Sequence, residues 1–209
     1  MQYQNTNQAV LFTELPAGSD KKIGHATLNS PASLNSLTTE MVELLLAKLL
    51  QWAQDSRLAC VVISGAGDKA FCAGGDVQAL RNSAIAKPGG PCLEAETFFA
   101  REYRLDYTIH TFNKPLLVWG NGIVMGGGLG ILAGASHRVV TETSRFAMPE
   151  VTIGLYPDVG GSHFLNLMPG ETGRFLALTG ASFNAADALY TGLADYFLQR
   201  DQFPALLEV

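Results

Sequence analysis

The amino-acid sequence predicts an α/β fold in which short strands alternate with helices around one hydrophobic core. Short apolar runs bounded by glycine, proline or asparagine alternate with longer stretches whose apolar residues recur every three or four positions. The chain has 209 residues, of which 47% are hydrophobic and 16% are charged. This length and apolar content favour a single domain spanning residues 1–209.

The first elements are a predicted hairpin and a crossover helix. Residues 10–15 and 22–28 have the composition of strands, and a Gly-Ser-Asp turn lies between them. A helix is predicted over residues 39–54, because its apolar residues recur at three and four and because Ser36 or Thr38 can cap its first turn.

The rest of the chain repeats the alternation of strand and helix, interrupted by a loop with two prolines and two glycines at residues 87–91. The pattern predicts strands at residues 60–64, 116–118 and 138–141, and helices at residues 93–110, from about Gly127, and at residues 164–167, 174–178 and 185–192.

Charge and cysteine content exclude several classes of protein. Acidic residues outnumber basic ones by 19 to 14, so the net charge of −5 offers no basic surface for nucleic acid or an anionic membrane. Residues 115–135 are uncharged, but their seven glycines favour a buried turn between strand and helix over a membrane span. Three cysteines without a C-x-x-C pair and a polar first decapeptide without signal features favour a cytoplasmic protein.

Two glycine clusters could bind an anionic oxygen. Ala73-Gly74-Gly75 and Gly126-Gly127-Gly128 each follow a predicted strand, so each can open a helix N-terminus with backbone N–H groups that face a ligand. Two such N–H groups that converge on one oxygen form an oxyanion hole. Each cluster taken alone is more typical of close packing at a strand-to-helix turn, but two clusters that each follow a strand favour the binding interpretation.

The second cluster also matches a dinucleotide-binding fingerprint, G-x-G-x-x-G/A, through Gly128, Gly130 and Ala133. Such a site needs an acidic residue at the end of the next strand. Glu150 has the spacing, but the predicted strand at residues 138–141 ends well before it. The match is therefore weak.

Three acidic residues are candidates for catalysis or substrate binding. Glu150 and Asp158 lie eight positions apart in an apolar segment rich in glycine and proline, where a carboxylate tends to have a raised pKa useful for proton transfer. Both could instead cap local turns. Glu102 lies on a charged helical stretch, where a solvated ion pair is the alternative interpretation.

Nucleophilic and metal chemistry find little support in the sequence. No histidine stands near enough to Cys72 along the chain to ionise its thiol, so we interpret Cys72 as a packing residue. No metal is predicted, because ligand spacing is absent from the four histidines, His25, His110, His137 and His163.

Together these motifs resemble the crotonase (enoyl-CoA hydratase/isomerase) superfamily from about Val10 to Asp195. The resemblance rests on LNSP at residues 28–31 with LNSL at 34–37, on KAFCAGGDV at 69–77, and on GIVMGGG at 122–128. It implies a spiral of ββα units that binds an acyl-CoA substrate, and it implies no cofactor, since CoA is part of the substrate. It also implies that the N–H groups of Gly75 and Gly127 hold the thioester oxygen, with Gly74 beside them and Ala73 near the adenine of CoA.

Within this superfamily, the later segments are similar to those of the 3-hydroxyisobutyryl-CoA hydrolases, FAMPE at residues 146–150 and GLYPDVGG at 154–161. That resemblance implies hydrolysis of a short β-hydroxyacyl-CoA, as in valine degradation. Glu150 would be base or nucleophile, Asp158 would orient the water or the substrate hydroxyl, and Glu102 would bind the acyl hydroxyl. Hydratases carry a further catalytic glutamate where this chain has Gly130.

The sequence departs from the family pattern at positions expected to meet the CoA phosphates. Ser30, Ser33 and Gln78 stand where basic residues are usual, which leaves Arg81 and Lys69 as substitutes. The resemblance further implies that the last twenty residues or so begin a C-terminal helical part, which in the hydrolases helps to close the site and assemble subunits, so that a homo-oligomer is one outcome. A hydratase or isomerase, and an acyl-CoA-binding module without catalysis, remain alternatives.

Overall fold

A computed structural model describes residues 8–18 and 20–208 of the chain. The expectation of no export signal rests largely on residues 1–7, which lie outside the described residues. The helices and strands, in chain order, are β1 (Val10–Ala17), β2 (Lys21–Leu28), α1 (Thr39–Gln54), β3 (Leu58–Gly65), β4 (Ala70–Cys72), α2 (Val77–Ala86), α3 (Leu93–His110), β5 (Leu116–Gly120), β6 (Ile123–Met125), α4 (Gly127–Gly134), β7 (His137–Val140), β8 (Arg145–Ala147), α5 (Gly161–Phe164), α6 (Thr172–Thr179), β9 (Phe183–Asn184), α7 (Ala185–Tyr190), β10 (Tyr196–Phe197) and α8 (Phe203–Leu207).

The strands form two sheets, and from β3 to β8 consecutive strands alternate between them. One sheet has the order β1-β2-β3-β5-β7-β10 and the other β4-β6-β8-β9. The pairs β3–β4, β5–β6 and β7–β8 each place their first strand in the larger sheet and their second in the smaller one. In the larger sheet β2, β3, β5, β7 and β10 run parallel to one another, as do β4, β6 and β8 in the smaller sheet, whereas β1 and β9 pair antiparallel with β2 and β8. This repeat is the predicted spiral of ββα units.

The predicted hairpin and crossover helix are confirmed. Strands β1 and β2 pair antiparallel, and Val10 lies opposite Leu28. Helix α1 begins after Thr38, whose side chain accepts a hydrogen bond from the Met41 N–H at 3.2 Å. The apolar face of α1 is buried, and its Trp52 is almost fully covered while its indole N–H donates to Glu14. Burial of each large apolar side chain contributes roughly 1.5–3 kcal/mol to the core.

The uncharged stretch at residues 115–135 forms β5, β6 and α4, as the strand-turn-helix interpretation predicted. Helix α4 has eight residues, and six of them are buried. Within the described residues, none of the helices combines the length and apolarity needed to cross a bilayer.

The last twenty residues differ in part from the expected start of a helical region. Residues Tyr196–Phe197 form β10, which pairs with Val139 and Val140 at the edge of the larger sheet. The Arg138 guanidinium anchors this end of the chain by pairing with Asp195. Helical structure follows only afterwards, in a short 3₁₀ turn and α8. The segment therefore completes the sheet before it becomes helical.

Candidate active site

One cavity of about 610 Å³, which we call the front cavity, brings all the predicted site residues together. It lies where β4 and β6 end and where α2, α3 and α4 meet. The seven predicted residues that line it are Ala73, Gly74, Gly75, Glu102, Gly127, Glu150 and Asp158. Residues separated by up to 85 positions in the sequence thus share one lining, which makes this cavity the candidate active site.

Backbone N–H groups of both glycine clusters are available at this cavity. Leu37 N–H donates to Gly74 O at 2.8 Å, and Leu37 O accepts from Asp76 N–H at 2.9 Å. Leu37 therefore bonds to the residues on either side of Gly75, and the N–H group of Gly75 takes no part in this pairing. Gly127 is the first residue of α4, so its N–H precedes the helical hydrogen bonds. Gly75 and Gly127 both line the front cavity, and their joint role as an oxyanion hole stays a prediction.

The two clusters meet the helices differently. Gly127 opens α4 directly, whereas α2 begins at Val77 with Asp76 as its cap, so Gly75 stands one residue before the cap. A Cβ built on Gly74 would lie 3.6 Å from the Gly127 nitrogen. Gly74 has a φ of +103° and Gly126 a φ of +50°, conformations that side chains resist. Glycine is therefore required where the clusters face each other.

Glu102 is buried because of its place on α3. With Phe98, Leu105 and Ile109 it forms the covered face of this helix, and its side chain is only 2% exposed. The alternative interpretation of a solvated ion-pair residue is therefore wrong. A Cβ built on Gly127 would overlap Glu102 Oε1, so the missing side chain at Gly127 makes room for this carboxyl group.

Glu150 approaches the cavity from a 3₁₀ turn formed by Pro149–Ile153. A Cβ built on Gly126 would come within 2.9 Å of Glu150 Oε1. The other oxygen, Oε2, is buried and has no hydrogen-bond partner among the described residues. Such an orphaned atom costs about 1–3 kcal/mol unless a ligand or water satisfies it. The arrangement favours a role in binding or catalysis over capping.

Asp158 is held by Tyr103, a residue of α3. Tyr103 O–H donates to Asp158 Oδ2 at 2.7 Å. The next residue, Val159, has a φ of +42°, which is strained for a β-branched residue. The side chain of Asp158 caps no helix, and α5 instead begins after Gly160. The capping alternative for Asp158 is therefore wrong.

The three carboxyl groups all have pKa values above their ordinary ones. Burial, followed by the charges of Asp158 and Glu150, raises the pKa of Glu102 to about 8. Burial, followed by the charge of Asp158, raises the pKa of Glu150 to about 7. Burial also raises the pKa of Asp158, while the hydrogen bond from Tyr103 opposes that rise. At neutral pH Glu102 is thus mostly protonated, whereas Glu150 can accept a proton.

Packing explains Gly128 and Gly130, the glycines of the weak dinucleotide match. A Cβ built on Gly128 would overlap the Cys72 carbonyl, and one on Gly130 would come within 2.5 Å of Val159 Cβ. These are close-packing positions, and Glu150 follows β8 in a 3₁₀ turn rather than ending a strand. Val159 fills the space beyond Gly130.

Two further expectations concern the thiol of Cys72 and the basic residues Arg81 and Lys69, which are expected to meet the CoA phosphates in place of the usual basic residues. Burial raises the pKa of the Cys72 thiol to about 12, so the side chain packs as an uncharged group. Arg81 lines the front cavity, whereas Lys69 lines a separate groove beside Pro31 and Asp68. Only Arg81 of this pair is placed to meet a ligand of the front cavity.

Sequence reasoning missed two residues of this region, Tyr103 and Asp106. Tyr103 is the hydrogen-bond partner of Asp158, and Asp106 lies one helical turn after Glu102 with both carboxylate oxygens buried. The signal for Asp106 was its i, i+4 spacing from Glu102. In the part of the chain that the structure describes, no group of three or more His, Cys, Asp or Glu side chains could hold a metal ion.

The two-sheet spiral and its glycine-lined, carboxylate-rich cavity define an α/β protein of the crotonase type. The chain belongs to the enoyl-CoA hydratase/isomerase family, whose sequence profile matches residues 23–209. The family and fold predicted from the motifs are therefore confirmed.

Known proteins similar to this chain differ in function. The mitochondrial 3-hydroxyisobutyryl-CoA hydrolase of Danio rerio is 45% identical over 88% of this chain and 47% of its own length. Small ribosomal subunit protein mS47 of Neurospora crassa is 41% identical over 86% of this chain and 35% of its own length. A carnitinyl-CoA dehydratase structure from Mycobacterium thermoresistibile has a TM-score of 0.88 at 43% identity, covering 95% of this chain and 56% of that one. The chain spans about half the length of the curated hydrolase it matches, or less for mS47.

Proposed function

We propose that this chain hydrolyses a short β-hydroxyacyl-CoA thioester to the free acid and CoA. The observation that carries the proposal is that Glu150, Asp158 and Glu102 line one cavity with Gly75 and Gly127. Thioester hydrolysis needs a base for water, an orienting group and an oxyanion hole. The front cavity offers a candidate for each.

In the proposed mechanism Glu150 is the general base. Its carboxylate takes a proton from water as the water oxygen attacks the thioester carbon, and the N–H groups of Gly75 and Gly127 hold the oxyanion. The C–S bond then breaks, and the proton on Glu150 passes to the CoA sulfur. The second proton of the water leaves with the product acid and is released to solvent at neutral pH.

Asp158 and Glu102 have separate parts in this mechanism. Asp158 Oδ2 is engaged by Tyr103, which leaves Oδ1 to orient the attacking water. Protonated Glu102 lies beside Gly127 and is placed to hydrogen-bond the β-hydroxyl group of the acyl chain. These contacts favour a hydroxylated acyl group over a plain one. The acyl-CoA enters past Arg81, which can meet a phosphate.

Hydration of a double bond is less well supported. The hydratases carry a second catalytic glutamate at the position of Gly130, and here Val159 occupies the adjoining space. Isomerisation through Glu150 alone and acyl-CoA binding without catalysis remain the competing functions. The similarity to a ribosomal subunit protein is the reason to retain binding without catalysis as an alternative.

Incubation of the protein at its natural length with 3-hydroxyisobutyryl-CoA and a thiol reagent tests the proposal. Steady release of free thiol supports hydrolysis, because hydration and isomerisation leave the thioester intact. Crotonyl-CoA, monitored for loss of its double bond, is the control for hydratase activity. Tight CoA binding with no turnover of either substrate would replace the proposal with the binding module. A covalent acyl adduct on Glu150 in the quenched protein's mass would make that residue the nucleophile.

A further inference from the structure

A second cavity of about 290 Å³, which we call the rear cavity, lies behind the candidate active site. Its lining includes Tyr103, Asp106, His110, Gly130, Val159 and His163. It lies against α3, α4 and the start of α5, on the far side of the wall formed by Tyr103 and Asp158. The mechanism above assigns it no part.

One hydrogen bond joins the two cavities. Tyr103 lines the rear cavity and Asp158 lines the front one, and the Tyr103 hydroxyl donates to Asp158 across the wall at 2.7 Å. The residues that follow Asp158, Val159 and Gly160, already belong to the rear lining. Asp158 therefore stands at the boundary between the two spaces.

Asp106 is the unexplained group of the rear cavity. Both of its carboxylate oxygens are buried, and neither has a hydrogen-bond partner among the described residues. It lies one turn beyond Glu102 on α3. Burial, followed by the charges of Glu102 and Asp158, raises the pKa of Asp106 well above its ordinary value. A buried acid without partners in a cavity of this size is suited to contact water.

Hydrolysis requires a path for the attacking water and for the released proton in addition to the cavity that binds the substrate. Each turnover consumes one water, whose oxygen bonds to the acyl carbon as the C–S bond breaks. One proton of that water ends on the CoA sulfur, and the other is released to solvent at neutral pH. Bound acyl-CoA occupies the front cavity during this step, so water and proton need a separate route.

We propose that the rear cavity is this route, and that Asp106 relays the released proton from the Asp158–Tyr103 pair toward solvent at His110 and His163. The two histidines lie with ring centroids 5.9 Å apart and are the exposed imidazoles of this lining. Asp106 acts here through water and through Asp158, so it is a positioning and relay residue. The inference rests on the proposed hydrolysis.

The test compares Asp106→Asn and Asp106→Ala with the unaltered protein in the thiol-release assay. Because neither variant can carry the proton, kcat falls at least about tenfold while KM stays unchanged. Formate, a small acid that fits the space left by Asp106→Ala, restores kcat in proportion to its concentration, which a merely structural defect would not allow. Glu96→Gln is the matched control, since Glu96 is an exposed acid of the same helix.

A second variant tests the cavity itself. Ala133 lines the rear cavity and is absent from the front lining, so Ala133→Phe fills the route without touching the substrate. We expect a lower kcat at unchanged KM, and a crystal structure of the unaltered protein with waters against Asp106. Wild-type rates in Asp106→Asn and Ala133→Phe, or a dry rear cavity, would overturn the inference and leave the hydrolase proposal standing. An unaltered protein that releases no CoA would overturn the hydrolase proposal instead.

Discussion

A single carboxylate oxygen, Glu150 Oε2, is buried at the candidate site without a partner among the described residues. Glu150→Gln keeps the shape of the side chain and removes its basicity. If Glu150 is the general base, kcat for thioester hydrolysis falls by about 10²–10⁴ while CoA affinity changes little. Stopped-flow thiol release and CoA titration measure the two effects. Glu171→Gln, at an exposed position, serves as the control.

The hydrogen bond from Tyr103 to Asp158 makes a second prediction. Tyr103→Phe removes the donor that holds the pKa of Asp158 down, so the pKa of Asp158 rises further. If ionised Asp158 orients the water, the acidic limb of the pH–rate profile moves to higher pH and kcat falls about tenfold at neutral pH. An unshifted acidic limb would show that Asp158 has no part in turnover.

Individual site residues were predictable to different degrees. Glu150 and Asp158 stood out because an acid in an apolar segment is costly unless it is used. Glu102 was ambiguous, since its burial depends on how α3 packs against its neighbours, which a local charge pattern does not reveal. Tyr103 gave no signal of its own, and the i, i+4 spacing of Asp106 from Glu102 indicated only a shared helix face, because the significance of both residues arises from the cavities that the fold creates.

Helix α4 is the element on which the site depends most, because it begins at the glycine that faces Glu102. In Gly127→Ala the added methyl group overlaps Glu102 Oε1 and displaces either the carboxyl group or the N–H donor. We expect a loss of about 10²–10³ in kcat with little loss of helix content, since alanine favours a helix more than glycine does. Circular dichroism separates this result from unfolding.

Gly90→Ala is the matched control for that substitution. Gly90 lies between α2 and α3, and a Cβ there would meet nothing nearer than Lys87 O at 3.8 Å. Its activity should equal that of the unaltered protein. Full activity in Gly127→Ala as well would show that the oxyanion is held elsewhere.

The longer elements were predictable, whereas the short strands were not. Helices α1 and α3 begin and end at the predicted residues, because their apolar periodicity extends over several turns. Strands β4 and β8 have three residues each, too few to show a period of two. Their pairing in a second sheet is a tertiary effect, and it places the first glycine cluster opposite the second.

On the scale of the whole molecule, buried acids should make stability depend on pH. In the folded protein Glu102 keeps its proton up to a pKa of about 8, whereas an unfolded glutamate loses it near 4.5. Between these values the folded state binds more protons, so the free energy of unfolding falls as pH rises. Asp106 and Glu150 act in the same direction.

Groups with the opposite effect act at lower pH. Burial lowers the pKa of His25 below 6.5, so its destabilising effect is confined to pH values below that. Hydrogen bonds from Lys22 and Trp52 lower the pKa of Glu14 to about 2, so the stability it contributes is lost only below about pH 4.5. Between about pH 6.5 and 8, the pH dependence of the free energy of unfolding therefore reports on the buried acids of the two cavities.

In this interval Glu102 contributes a slope of up to about 1.4 kcal/mol per pH unit to the free energy of unfolding. Glu102→Gln removes that proton uptake, so the variant should show a shallower slope and should gain stability relative to the unaltered protein as pH approaches 8. Urea unfolding at several pH values measures both quantities. Glu171→Gln should keep the original slope, because Glu171 is exposed. Equal slopes in all three proteins would mean that Glu102 is ionised in the folded state. In that case the acyl hydroxyl group would donate the proposed hydrogen bond and the Glu102 carboxylate would accept it.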